Sequence, residues 1–331
     1  VIVIVNVAIN GFGRIGRILF RIGFKEKGIN FIAINDLTDP KTLAHLLKYD
    51  SVHGRFDANV EAGNGYIKVN NKKILVLSEK EPEKLTWKKL KVDVVVESTG
   101  RFRKRKECEM HLRAGAKKVL LSAPGKGNIQ TIVRGMNDKK VKGNDIISNA
   151  SCTTNSLVPV VQVLEKEFGI ESAFMTTIHS YTNDQKLLDL PHKDLRRGRA
   201  AAVNIIPTTT GAAKAVGEVI PELRGKSDGM SVRVPTPCGS LTDFVFISKK
   251  NITVDKVNNA MKKASKTHLK GILEYSEEPL VSTDIIGNPH SSIFDSSLTK
   301  VIGKLVKVCT WYDNEYGFSK RMVEMIKLMV R

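Results

Sequence analysis

The sequence predicts a two-domain α/β protein, with a doubly wound parallel sheet in the first half and an α+β domain carrying a mixed or antiparallel sheet in the second. Three observations predict it. An apolar run at residues 3–9 leads into Gly11-Phe-Gly-Arg-Ile-Gly16 and then into Ile15, Ile18, Leu19 and Ile22 at helical spacing. Strand-like and helix-like stretches alternate up to residue 148. Beyond Cys152 the texture changes, and long polar connections, notably residues 181–204, separate some of the strand-like runs.

Taken in order, the run at 3–9 reads as a buried parallel strand. Gly28 falls where a helix-ending glycine belongs. The next strand is Phe31-Ile-Ala-Ile34, ending in Asn35-Asp36. Further strands are expected at 92–96, 118–121 and 145–148, with a helix over Cys108–Ala114. Leu157–Phe168 reads as a helix containing Pro159 and stopped by Gly169. Strands are expected at 173–179, 231–234, 241–248 and 307–312. In the final segment Phe318, Met322, Met325, Ile326 and Met329 form a helical packing stripe, expected to return to the first domain. The domains are therefore expected at 1–150 and 151–313, with a helix over 314–331 packed back on the first.

The chain has 331 residues, 53 basic against 34 acidic, for a net charge of +19. The lysines are scattered, and no RNP-like, zinc-finger or helix-turn-helix pattern accompanies them, so a solvated basic surface is expected rather than nucleic-acid binding as the main role. No run approaches 18 apolar residues, which excludes a spanning helix. The opening apolar run lacks a basic flank and a cleavage site, so a cytoplasmic protein is expected. Cys108, Cys152, Cys238 and Cys309 lie far apart with no histidine at metal-ligand spacing, arguing against a disulfide framework and a zinc site.

The glycine fingerprint follows a strand, opens a helix, and precedes Asp36 at a strand end, 20 residues after Gly16. That context makes it a Rossmann-type dinucleotide site. Gly11 would allow the turn, Gly13 the approach of the pyrophosphate, and Gly16 close helix–strand packing. Asp36 would accept from ribose hydroxyls and repel a 2′-phosphate, favouring NAD over NADP. Ser98-Thr99-Gly100 and Ser122-Ala-Pro-Gly125 each follow a strand at the edge where ligands bind, so Thr99 and Ser122 are expected to line the cleft.

The second chemical feature is Asn149-Ala-Ser-Cys-Thr-Thr-Asn155, with His179 27 residues after Cys152. One thiol stands among small polar residues just ahead of a helix-like stretch, with a histidine on the next strand. A helix N-terminus and an adjacent imidazole both lower a thiol's pKa, so Cys152 is expected to be the activated nucleophile.

These stretches, with TTIHSYTNDQ (176–185), DLPHKDLRRGRAAAVNIIPTTTGAAKAVG (189–217), VRVPTP (232–237), SSIFD (291–295) and WYDNE (311–315), closely resemble phosphorylating glyceraldehyde-3-phosphate dehydrogenases. The resemblance implies a homotetramer, NAD as cofactor, and glyceraldehyde 3-phosphate and inorganic phosphate as substrates. It implies that Cys152 attacks the aldehyde, that His179 is the base, and that phosphate releases an acyl phosphate from a thioester. Thr182, Asp184 and Arg233 resemble the pocket for the substrate's phosphate, and Ser151, Thr153, Thr210 and Gly211 that for attacking phosphate. Arg14, Ile15, Asp36, Ser122 and Asn314 resemble cofactor contacts, Asn314 holding the carboxamide. Lys80 stands where the family often has an arginine near the adenine. Ser156 replaces a second cysteine and Phe318 a frequent tyrosine. Two other readings remain open: erythrose-4-phosphate dehydrogenase on the same scaffold, and nucleic-acid binding as a secondary activity.

Overall fold

The computed structural model describes residues 3–330. Positions 1, 2 and 331, the last within the expected final helix, lie outside the described residues. The chain divides into two compact units, Val1–Ala150 with Ser319–Arg331, and Ser151–Phe318.

The first unit is built from β1 (Val5–Asn10), α1 (Arg14–Phe24), β2 (Ile29–Asn35), α2 (Pro40–Lys48), β3 (Val60–Gly63), β4 (Tyr66–Val69), β5 (Lys72–Leu77), β6 (Val94–Glu97), α3 (Arg105–Arg113), β7 (Lys118–Leu121), β8 (Gln130–Thr131) and β9 (Ile146–Ser148). They form a nine-stranded sheet in the order β3-β4-β5-β2-β1-β6-β7-β9-β8. It is parallel from β5 to β8, with β3 and β4 antiparallel at one edge. Strand order reverses beside β1, whose neighbours are β2 and β6, so the carboxyl end of β1 is the switch point at which such sheets bind ligands. The first strand begins later than its apolar pattern implies: Val3 and Ile4 are each 66% exposed.

Both faces of this sheet are covered, as alternating strands and helices require. On one side Phe20 of α1 lies 4.8 Å from Phe31 and 5.7 Å from Phe12 between ring centres. On the other, Ala8 and Ala33 are small enough to admit Trp87, wholly buried with Leu85, Val92 and Val95. The antiparallel edge and α2 are elements the sequence reading did not anticipate. Two-residue turns at Asn64-Gly65 and Asn70-Asn71 make the edge, with Gly65 and Asn70 at φ +72° and +50°.

The second unit contains α4 (Cys152–Phe168), β10 (Ile170–Ser180), β11 (Ile206–Thr209), α5 (Ala212–Val219), β12 (Ser227–Val234), β13 (Ser240–Ser248), α6 (Val254–Lys266), β14 (Leu273–Ser276), β15 (Ser292–Ile302), β16 (Leu305–Tyr312) and the start of α7 (Tyr316–Met329). Its seven-stranded sheet, β11-β12-β10-β13-β16-β15-β14, is mixed: β10 runs parallel to β12 and antiparallel to β13. Helix α4 packs against α5, α6, β15 and β16. The opposite sheet face carries exposed apolar side chains, including Phe174 at 71%. From Ser319 onward α7 belongs to the first unit, where Lys320 and Lys327 both bind Glu26 at 2.6 and 2.7 Å.

Candidate active site and dinucleotide cradle

Helix α4 starts five residues before the apolar pattern suggests, which places Cys152 in its first turn rather than ahead of it. Ser151 causes this: its hydroxyl accepts from the Thr154 N–H at 3.1 Å and so caps the helix. Ala150, just before, is held at φ +58°, a left-handed conformation costly for an L residue. Its N–H is secured by Ser148 Oγ at 3.1 Å.

His179 lies near the end of β10, and its Nε2 stands 3.4 Å from Cys152 Sγ. The other ring nitrogen, Nδ1, is 2.6 Å from the Ser180 carbonyl oxygen. A carbonyl oxygen only accepts, so Nδ1 carries the hydrogen and Nε2 presents its lone pair to the thiol. This is the tautomer a general base requires. Parallel pairing sets His179 beside Arg233 of β12. Arg233 donates to the Ser180 carbonyl oxygen at 3.1 Å and to Thr182 Oγ1 at 3.2 Å, while its buried Nε has no partner among the described residues. A buried guanidinium N–H without an acceptor fits an anion.

The electrostatics differ from the sequence expectation. Burial pushes the Cys152 thiol above its ordinary value, with the Arg233 cation pulling the other way. Burial and the same cation push His179 down to about 3. Both shifts favour thiol and neutral imidazole over the ion pair, desolvation opposing the N–H groups of the helix start. Burial also raises Cys108 and Cys309, to about 12 and about 11. Cys152 alone of the four is not fully buried.

The remaining anion-site candidates are partly engaged with one another. Thr153 Oγ1 turns inward to Tyr312 Oη at 2.9 Å, and Thr177 Oγ1 meets the same hydroxyl at 2.8 Å. Asp184 faces Arg197 at 2.6 Å and His192 at 3.5 Å. Thr210 Oγ1 accepts from Ala212 N–H at 3.2 Å, and Gly211 is the cap residue of α5, without a side-chain cap. Two residues were not singled out from the sequence. Tyr312 braces the residue after the thiol, and Arg197 donates to Thr208 Oγ1 at 2.8 Å as well as to Asp184. Arg197 lies in a basic run that reads equally well as solvated surface, and Tyr312 sits in an apolar strand pattern.

In the first unit, Gly11 has φ +90°, and a Cβ there would come within 2.6 Å of Thr99 N. A Cβ on Gly16 would lie 2.4 Å from the Gly11 carbonyl oxygen, whereas one on Gly13 would meet nothing within 4 Å. Gly13 also caps α1 without a side-chain hydrogen bond. The fingerprint thus leaves an open space before a helix N-terminus, a shape and polarity suited to a pyrophosphate. Asp36 accepts from Phe12 N–H at 2.8 Å and Thr38 N–H at 3.0 Å, which fixes its carboxylate beside that turn. Arg14 pairs with Asp50 at 3.2 Å, Ile15 is half-buried in the first turn of α1, and Lys80 is exposed. Ser122 follows β7, and its N–H donates to Glu97 O at 3.0 Å. In the second unit Asn314 is buried, its side-chain oxygen accepting from Ser240 Oγ at 2.9 Å.

A glycine turn of this form, on a chain that also holds a thiol against a correctly oriented imidazole, fits the class of NAD-dependent oxidoreductases that act on aldehydes. Comparison with known proteins specifies the family. Residues 5–105 match the family model described as glyceraldehyde 3-phosphate dehydrogenase, NAD binding domain, and residues 151–314 match that of the C-terminal domain. The chain is 59% identical over 324 residues to glyceraldehyde-3-phosphate dehydrogenase of Geobacillus stearothermophilus, covering 97% of each chain. It is 58% identical over 330 residues to that of Thermotoga maritima, covering 98% of this chain and 99% of the relative. The chain belongs to the glyceraldehyde-3-phosphate dehydrogenase family, and NAD is its cofactor.

Proposed function

We propose that this chain catalyses the NAD-dependent, phosphorylating oxidation of D-glyceraldehyde 3-phosphate to 1,3-bisphosphoglycerate. The observation that carries the reading is the Cys152–His179 contact at 3.4 Å, with His179 fixed as an Nδ1–H tautomer. The Cys152 sulfur attacks the aldehyde carbon as its proton passes to His179 Nε2 and on to the new alkoxide, giving a thiohemiacetal and leaving His179 neutral again. The Cys152 N–H, in the first turn of α4, is available to the developing oxyanion. NAD, when bound, accepts the hydride that converts this adduct to a thioester. Inorganic phosphate then attacks the thioester carbonyl, forming a carbon–oxygen bond, breaking the carbon–sulfur bond and returning Cys152. His179 removes the hemiacetal proton during oxidation, which accounts for a base that is neutral at rest.

Arg233, with its unpartnered Nε, Thr182 and Asp184 form the binding group for the substrate's phosphate in this account. Ser151, Thr153, Thr210 and Gly211 receive attacking phosphate, to which Arg197 is added on the strength of its bonds to Asp184 and Thr208. The dinucleotide is held by Gly11, Gly13, Arg14, Ile15, Gly16, Asp36, Lys80, Thr99 and Ser122, with Asn314 on the carboxamide. Residues 1–150 then serve as the NAD-binding domain, the C-terminal helix packing back on it, and 151–313 as the catalytic domain.

We also infer a homotetramer working in the cytoplasm. Exposed Phe174, Leu187, Leu195 and Val203, between 71% and 83% accessible, support burial by other copies. A reactive thiol among four free cysteines suits a reducing compartment. The test of the reaction is NADH formation at 340 nm from glyceraldehyde 3-phosphate, with and without inorganic phosphate. Turnover that requires phosphate supports the reading. Equal turnover without phosphate means the thioester is hydrolysed and removes the attacking-phosphate site, and turnover only with erythrose 4-phosphate reassigns the substrate.

A further inference from the structure

A buried polar chain lies behind the dinucleotide cradle, and no step above uses it. Asn10, Asn35 and Glu97 end β1, β2 and β6, and the strand registers place Asn10 opposite both of the others. Glu97 and His111 of α3 are both wholly buried. Glu97 Oε1 accepts from the Thr99 N–H at 2.9 Å and from its hydroxyl at 2.5 Å. Oε2 accepts from Asn10 Nδ2 at 2.6 Å and lies 3.0 Å from His111 Nε2.

Backbone groups and Trp87 fix the hydrogens throughout. The Glu79 N–H donates to Asn35 Oδ1 at 2.8 Å and its carbonyl oxygen accepts from Asn35 Nδ2 at 2.9 Å, so the Asn35 amide has one orientation. Its Nδ2 also donates to Asn10 Oδ1 at 2.7 Å, which turns Asn10 Nδ2 toward Glu97. The Trp87 N–H donates to His111 Nδ1 at 3.1 Å, and an indole nitrogen has no acceptor capacity. His111 is thereby held with its hydrogen on Nε2, directed at Glu97. The Arg101 N–H occupies the Thr99 hydroxyl oxygen at 3.1 Å, leaving the hydroxyl hydrogen for Glu97. All four neighbours of the Glu97 carboxylate are donors, which matches the four acceptor sites of an ionised carboxylate.

We propose that Glu97 is a positioning residue for the dinucleotide. Its carboxylate, oriented by the Trp87–His111 pair, clamps the Thr99 turn against Gly11 and keeps the pyrophosphate cradle formed before the ligand arrives. The closeness of that clamp is visible at Gly11, where even a Cβ would strike Thr99, and in Ser98 Oγ, which donates to the Gly11 carbonyl oxygen at 2.7 Å. A glutamine cannot replace the carboxylate. Whichever way its amide turns, an N–H meets donors, either those of Thr99 or those of Asn10 and His111. The Thr99 turn would then have to be ordered by the ligand, which weakens binding without altering the chemistry at Cys152.

This inference rests on the NAD-binding reading, and the test separates the two. NAD is titrated into the full-length protein by tryptophan fluorescence for wild type, Glu97→Gln, Thr99→Val, Thr99→Ser and the Glu97→Gln/Thr99→Val double variant. Glu97→Gln is expected to raise the Kd for NAD about tenfold, the scale of one charge-assisted hydrogen bond, while kcat at saturating NAD stays within about threefold. Thr99→Val should weaken binding comparably, Thr99→Ser should restore it, and the double variant should bind no worse than the weaker single one. Unchanged Kd in Glu97→Gln, or fully additive losses in the double variant, overturns the proposal. If Glu97→Gln does not fold, the Thr99 pair decides: equal affinity of the valine and serine variants overturns it. Wild type that binds no NAD overturns the cofactor reading itself.

Discussion

His179, 3.4 Å from Cys152 Sγ, is the base in the proposed reaction and also carries part of the acid sensitivity of the protein. In the folded state its pKa is about 3, against 6.5 for the free side chain. Between those values the unfolded chain holds a proton that the native state lacks, so stability falls as pH drops below about 6.5, by about 1.4 kcal/mol per unit for this one group. Urea midpoints for wild type and His179→Asn should therefore converge or cross between pH 7 and pH 4.5, the wild type losing more. Parallel slopes would show that His179 is not held neutral. The same substitution should lower kcat by about 10²- to 10⁴-fold, the range for loss of a general base. Iodoacetamide should label Cys152 and leave Cys108, Cys238 and Cys309 unmodified in the native protein, because those three are buried.

At the scale of elements, the three fingerprint glycines separate by what surrounds them. Gly13→Ala meets nothing within 4 Å at φ −72°, so thermal stability should change by less than about 0.5 kcal/mol. NAD affinity should nevertheless fall, since the added methyl occupies the open space before α1. Gly16→Ala drives a Cβ to 2.4 Å from a backbone oxygen and should destabilise the fold by about 1–3 kcal/mol through overpacking. Calorimetry with and without NAD distinguishes the two, and equal stability losses would refute the division of roles. The turn itself was readable from sequence because its glycines, strand and acidic residue fall at fixed spacing. The start of α4 was misplaced because Ser151 caps through one hydroxyl, a local bond that hydrophobic periodicity does not register. The edge strands β3 and β4 were missed for a related reason, since VEAG and YIKV lack the continuous apolar run that makes the equally short β6 and β7 stand out. Glu97 gave no signal either, because a glutamate at a strand end reads as surface until packing encloses it.

For the whole molecule, the mixed sheet of the second unit exposes Phe174 on one face, and the 181–205 connection adds Leu187, Leu188, Leu190 and Leu195 to the exposed surface. Light scattering on the protein at micromolar concentration should return about four times 36.6 kDa. Phe174→Glu should shift that mass downward with the chain still folded, and a monomeric wild type would contradict the inferred assembly. The opening β1-α1-β2 and the later strands β6, β7 and β9 were readable from sequence, whereas the consecutive strands β3, β4 and β5 break the alternation of strand and helix. The pairing of β10 with β12, which sets Arg233 beside His179, was not readable, because contacts between strands more than fifty residues apart leave no local pattern.

In the proposed reaction, oxidation proceeds on Cys152 and phosphate discharges the product from it. Intact-protein mass spectrometry after mixing with glyceraldehyde 3-phosphate and NAD, without phosphate, tests this directly. One 3-phosphoglyceroyl group per chain is expected, mapped to Cys152, absent in Cys152→Ala and lost when inorganic phosphate is added with release of an acyl phosphate. NADH formation with no adduct on Cys152, or an adduct that phosphate leaves in place, would contradict it.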